Sequence, residues 1–125
     1  MMKRMPSHCG DDTCSSCVVA GGFIYLAHHA GGHDIRDIEH QMRATFRSMQ
    51  KTLASAGAAL NDMVQVNLYL LSLSDFDKAR DVFYEFFDEN SFPARMTLTS
   101  DFLSPNCLCM MDGVAYIQKP PIKQA

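Results

Sequence analysis

Hydrophobic residues recur along this chain with two periods, and the switches between them mark its elements. Cys17-Val18-Val19-Ala20 and Phe23-Ile24-Tyr25-Leu26-Ala27 are short β-rich runs. Gly21-Gly22 splits them and suits a tight hairpin turn. The polar stretch His28-His29-Ala30-Gly31-Gly32-His33 then reads as a loop. Beyond it Ile35, Ile38, Met42, Phe46, Met49 and Leu53 fall three or four positions apart. That spacing predicts a long amphipathic helix, capped by Asp34 or Asp37 and stopped at Gly57, with its apolar stripe lying on a sheet.

Period two returns between Met63 and Leu71, where Val64, Val66, Leu68 and Leu70 alternate while Tyr69 and Leu71 add apolar character to the other side. A strand buried on both faces over part of its length has this look. Ser72-Leu73-Ser74-Asp75 supplies turn and cap chemistry for a second helix, Phe76 to Phe87, which ends before Pro93 because proline disfavours helix in the residue preceding it. Two more strands are expected, Arg95 to about Asp101 and Leu108 to Ile117, joined by a loop holding Pro105. The order is ββαβαββ, an α+β sandwich with two helices on one sheet face. The other face still presents apolar residues, which in so short a chain predicts burial against another copy.

Composition narrows the class. A length of 125 residues fits one domain. Residues 1–15 read as a flexible lead-in, 16–118 as the domain, and 119–125 as a tail whose prolines cannot extend the sheet. With 47% hydrophobic and 20% charged residues and a net charge of -3, the chain carries no global basic field for nucleic acid. Arg36, Arg43, Arg47 and Lys51 along the first helix are expected to form a solvated face, and no nucleic-acid partner is expected. No stretch reaches the length of a signal peptide or a membrane span, so a cytoplasmic protein without a membrane partner is expected. Five cysteines with no secretion signal favour reduced thiols or a metal over a disulfide framework.

The residues that carry chemistry cluster around Pro93-Ala94-Arg95. An arginine directly after a proline turn, at the mouth of a strand, can grip a carboxylate bidentately. With Asp37-Ile38-Glu39-His40-Gln41, Leu53-Ala54-Ser55-Ala56-Gly57, Asn61-Asp62-Met63-Val64 and the run Asp75 to Phe87, this motif resembles the Rid family over roughly residues 16–118. The family is also called YjgF, the reactive-intermediate deaminases, or endoribonuclease L-PSP. The resemblance implies a chorismate-mutase-like fold and a homotrimer with inward-facing sheets. It also implies three intersubunit clefts in which Arg95 holds the carboxylate of a small metabolite, and hydrolysis of 2-imino or enamine acids to 2-oxo acids and ammonia. No cofactor is implied.

Several positions differ from the family pattern. Met110 falls at or near the place where active members carry a glutamate on the last strand, and a thioether cannot act as a base; Asp112 is close by, and a shift of one or two residues in the Ser104-Pro105-Asn106-Cys107 loop would change the register. The usual tyrosine near the first strand falls near Cys14, the Ser-Gly pair reads Ala27-His28, and Thr97 stands where a cysteine often follows the arginine. Arg95, Thr97 and Met110 are therefore the candidate substrate-binding residues. His28, able to act as acid or base near neutral pH, and Cys14 are the candidate catalytic ones. A homotrimer that binds its metabolite or a protein partner without catalysis is the alternative. Cys14-x-x-Cys17, with His8, Cys9, Cys107 and Cys109, leaves zinc binding, thiol chemistry and plain burial open, with burial the leading reading and no metal site assigned.

Overall fold

The computed structural model describes residues 2–118, and the expected strands join in a single six-stranded sheet. The strands are β1 (Met2–Arg4), β2 (Cys17–Ala20), β3 (Phe23–His29), β4 (Met63–Leu70), β5 (Ala94–Thr99) and β6 (Cys109–Tyr116), and the helices are α1 (Ile38–Ser55) and α2 (Phe76–Phe86). The sheet order is β1-β2-β3-β6-β4-β5. Every neighbouring pair is antiparallel except β4 and β5, which α2 connects as a parallel crossover. The α+β arrangement expected from the sequence is thus present, with one strand added at its edge. Residues 2–4, read as part of a flexible lead-in, pair with β2, Met2 opposite Ala20 and Arg4 opposite Val18. Three exposed residues are too few to show an alternation, so nothing in the sequence marked this strand. The tail expected at 119–125 lies outside the described residues.

The caps set the length of α1. Asp37 is extended at the N-cap and its carboxylate accepts the His40 N–H at 2.9 Å, while Gly57 sits past the C-terminus at φ 80°. The helix therefore starts at Ile38, and Ile35, counted into the stripe, is left half exposed. Ile38, Met42, Phe46, Met49 and Leu53 are buried as predicted. They meet the inward residues of the sheet: Ile24 and Leu26 of β3, Val66, Leu68 and Leu70 of β4, and Cys109, Met111 and Ala115 of β6. Phe46 is the aromatic hub, with ring centroids 5.0 Å from Phe83, 4.8 Å from Phe86 and 5.7 Å from Phe87. Arg43, expected on a solvated face, instead links the helices, its guanidinium donating to Glu85 at 2.8 and 2.9 Å.

Two devices place β6, the strand that carries Met110. Gln41 is fully buried on α1 and spans to the loop before β6, donating to the Asn106 carbonyl at 2.8 Å and accepting from the Leu108 N–H at 2.8 Å. Gly113 lies where the β4–β6 register shifts, and a side chain there would collide with the Gln65 carbonyl and the Met63 methyl. Among the described residues no helix covers the second sheet face: Phe23, Tyr25, Val64, Met96, Leu98 and Tyr116 are each at least 40% exposed on the chain.

Candidate functional site

Arg95 is the second residue of β5 and pairs in register with Val66 of β4, on the side of the sheet that the helices cover. Its guanidinium carbon lies 5.5 Å from the centre of the Phe76 ring and 5.2 Å from that of Phe83, both on α2. The same side chain donates through Nε to Thr97 Oγ1 at 3.1 Å, which the two-residue alternation of the strand allows. Among the described residues no carboxylate pairs with Arg95. Arg95 lines a recess of ≈ 210 Å³ together with Arg80, Phe83, Tyr84, Phe92 and Pro93. Pro93, after the end of α2, thus sets Arg95 beside an aromatic-walled recess.

Met110 occupies the opposite face. It is bracketed by buried Cys109 and Met111 and stands across from Tyr69, so alternation turns it away from the helices. There it lines a second recess of ≈ 340 Å³ together with His28, Tyr69, Asp112 and the loop from Ser100 to Leu103. Asp112 lies two residues on from Met110 and so shares its face. Its carboxylate accepts from Asn67 Nδ2 at 2.7 Å and from the Tyr69 hydroxyl at 3.0 Å. Burial, and then the hydrogen bond and charge of Asp112, push the Tyr69 hydroxyl above its ordinary pKa, so it stays a neutral donor that holds the carboxylate in place.

His28 and His29, expected in a loop, instead end β3, where the pairing with β6 is irregular between Leu26 and His29. The irregularity breaks the alternation and gives adjacent residues different fates. His28 remains exposed beside Met110 and Asp112, whereas His29 is fully buried. His29 Nδ1 faces the Ala27 carbonyl at 2.7 Å and so carries the proton, leaving Nε2 to accept the Thr52 hydroxyl at 2.8 Å. Burial above all holds its pKa down to about 4, and the neighbouring His8 and His28 lower it further. His8 stacks on His29 at 3.9 Å and donates through Nε2 to the His28 carbonyl at 2.8 Å.

Cys14 is in a third place, among Arg4, Pro6, Asp12 and Ser15, with its thiol directed to the Ser15 carbonyl at 3.3 Å. Cys17, its partner in the sequence motif, is buried in the core, and burial raises its pKa. Cys107 and Cys109 are buried too, the Cys109 thiol being pushed up to about 12. Among the described residues no three metal-ligating side chains converge. The five candidate residues thus fall into three groups within one chain: Arg95 with Thr97, His28 with Met110, and Cys14 apart. Sequence reasoning passed over Asn67, Tyr69 and Arg80. Their signals were present, Tyr69 on the polar side of an alternating strand and Arg80 one helical turn before Tyr84, but neither marks a site without the register between strands.

Residues 13–117 match the family described as Endoribonuclease L-PSP. A RutC family protein of Pyrococcus abyssi is 33% identical over 108 residues, covering 82% of this chain and 84% of that one. A protein of Dermatophagoides farinae named 2-iminobutanoate/2-iminopropanoate deaminase is 28% identical over 111 residues, covering 83% and 85%. Among solved structures, a yjgF family member from Streptococcus pyogenes superposes with a TM-score of 0.84 at 26% identity, over 94% of this chain and 98% of that one. A YjgF/YER057c/UK114 family member from Mycobacterium tuberculosis gives the same TM-score at 22% identity, over 94% and 100%, a likeness of fold.

Proposed function

Because this chain belongs to the endoribonuclease L-PSP family, the Rid or YjgF group, we propose that it captures a small 2-imino acid by its carboxylate and hydrolyses it to the 2-oxo acid and ammonia. The observation that carries the reading is Arg95, a guanidinium fixed over two aromatic rings and facing a small recess with no carboxylate of its own chain among the described residues. Charge-assisted, two-pronged recognition of a carboxylate is what such a group does best. The name of the Dermatophagoides farinae relative supports the imine as the reacting group.

The arrangement we propose is a homotrimer, in which the apolar open face of one subunit covers that of the next. The Arg95 recess of one subunit would then adjoin the Met110 recess of its neighbour, completing a cleft that neither holds alone. The chemistry asked of that cleft is modest. Water adds to the imine carbon, both of its protons pass in turn to the nitrogen, and the C–N bond breaks as the carbonyl forms and ammonia leaves. His28, exposed beside Met110, is the group proposed to relay these protons, and Asp112, braced by Asn67 and Tyr69, is the carboxylate available to orient the water. We place this activity in the cytoplasm; no helix among the described residues is long and apolar enough to cross a membrane.

The test supplies 2-iminopropanoate generated in situ and follows its loss. Wild-type protein accelerates the loss over buffer, and His28→Ala with Asp112→Asn reduces kcat with little change in KM. No acceleration by wild type would remove the enzyme. One observation favours a second reading, a binder without catalysis: the thioether of Met110, directly across from Tyr69, can accept no proton. That reading predicts binding of a 2-oxo acid with no turnover.

A further inference from the structure

Arg95 does not face its recess alone. Arg80, on α2, lines the same ≈ 210 Å³ space, and the two guanidinium groups share walls made of Phe83, Tyr84, Phe92 and Pro93. The carbon of the Arg80 guanidinium lies 5.6 Å from the centre of the Tyr84 ring, and its NH2 donates to the Tyr84 hydroxyl at 3.2 Å. Tyr84 is itself packed edge-on against Phe92 at 5.6 Å, so Arg80 is steered toward the recess rather than free to sweep through solvent.

The acid nearest Arg80 is its chain neighbour Asp81, at 3.2 Å, with both side chains largely in solvent. An exposed pair of this kind is weak and yields easily to a ligand. Arg95, in the same recess, has no acid at all among the described residues. Two cations on one small aromatic-walled space repel each other unless an anion lies between them, and one carboxylate neutralises only half of that charge. The volume is below the range of about 300–1,000 Å³ typical of drug-sized ligands, which fits an acid of a few carbons.

We propose that the recess takes a dianionic acid: the 2-oxo or 2-imino acid carboxylate sits on Arg95 and a second carboxylate, a short carbon chain away, on Arg80. The inference rests on Arg95 as the carboxylate site and adds the substrate class to it. Phe83 and Phe92 contact the intervening carbons, and Arg80 is the residue that sets specificity.

Titration calorimetry of the wild-type chain with 2-oxobutanoate, 2-oxoglutarate and phenylpyruvate separates the possibilities. The dicarboxylate is expected to bind about tenfold to a hundredfold more tightly than 2-oxobutanoate, the range for an added charged hydrogen bond. Arg80→Gln brings that ratio close to one, Arg80→Lys leaves it in between, and Arg95→Ala weakens binding of both acids by about tenfold to a hundredfold or more. Equal affinities in wild type, or a preference that survives Arg80→Gln, would overturn the dianion site while leaving Arg95 intact. Tightest binding of phenylpyruvate would overturn it too, in favour of a ring against the aromatic wall. Failure of all three acids to bind wild type would overturn the Arg95 assignment, and the dianion site with it.

Discussion

Replacing His29 by glutamine offers a quantitative check on how the inner end of β3 is built. The imidazole is fully buried and neutral, spending its two nitrogens on the Ala27 carbonyl and the Thr52 hydroxyl. Its pKa is lowered from 6.5 to about 4, chiefly by burial. Between those values the unfolded chain binds a proton that the folded chain refuses, so stability is full above pH 6.5 and falls as the pH drops toward 4. At ~1.4 kcal/mol for each pH unit of displacement, the loss comes to about 3 kcal/mol. The assay is urea unfolding at fixed protein concentration from pH 7.5 to 4. Glutamine keeps an amide donor and acceptor but does not titrate, so its curve should be flatter than the wild-type curve by about 3 kcal/mol across this window. Parallel curves would refute the assignment of a neutral, dehydrated His29.

Other predictions concern the parts that hold the site. Gly113→Ala forces a methyl into the Gln65 backbone and should cost about 3 kcal/mol in chemical denaturation; a change within error would show that the β4–β6 irregularity gives way easily. Gln41→Leu strands the Asn106 carbonyl and the Leu108 N–H, should cost about 3 kcal/mol, and should raise hydrogen exchange at Leu108 ahead of the rest of β6. In the native protein a thiol reagent at pH 8 should modify Cys9 and Cys14 rapidly and leave Cys17, Cys107 and Cys109 untouched until unfolding. Fast reaction of a third thiol would contradict the burial seen here.

Much of the fold was legible because its signals are local. The α1 stripe, the Asp37 cap and the Gly57 stop each act within one or two helical turns, and the Gly21-Gly22 turn fixes its own hairpin. What stayed hidden depends on long-range pairing. His29 looks like a loop residue among other histidines and glycines, and only the irregular pairing of β3 with β6 turns it inward. All six residues of β5 are exposed, so Arg95 could be recognised as a candidate from the Pro-Ala-Arg turn. Its face could not. That Arg95 and Met110 lie on opposite sides of one sheet follows from register, Arg95 standing beside the inward Val66 of β4 and Met110 beside the outward Tyr69. For the same reason Arg80 became visible only when α2 was seen to bring it to the recess that Arg95 borders.

Titration of 2-oxobutanoate into wild-type, Arg95→Lys and Arg95→Ala proteins asks directly whether Arg95 clamps a carboxylate. Loss of the charged, two-pronged contact should weaken binding by about tenfold to a hundredfold or more in Arg95→Ala. Lysine, which keeps the charge without the fork, should recover only part of that loss. Circular dichroism should report the same fold in all three. Equal affinity of wild type and Arg95→Ala for the acid would contradict the account.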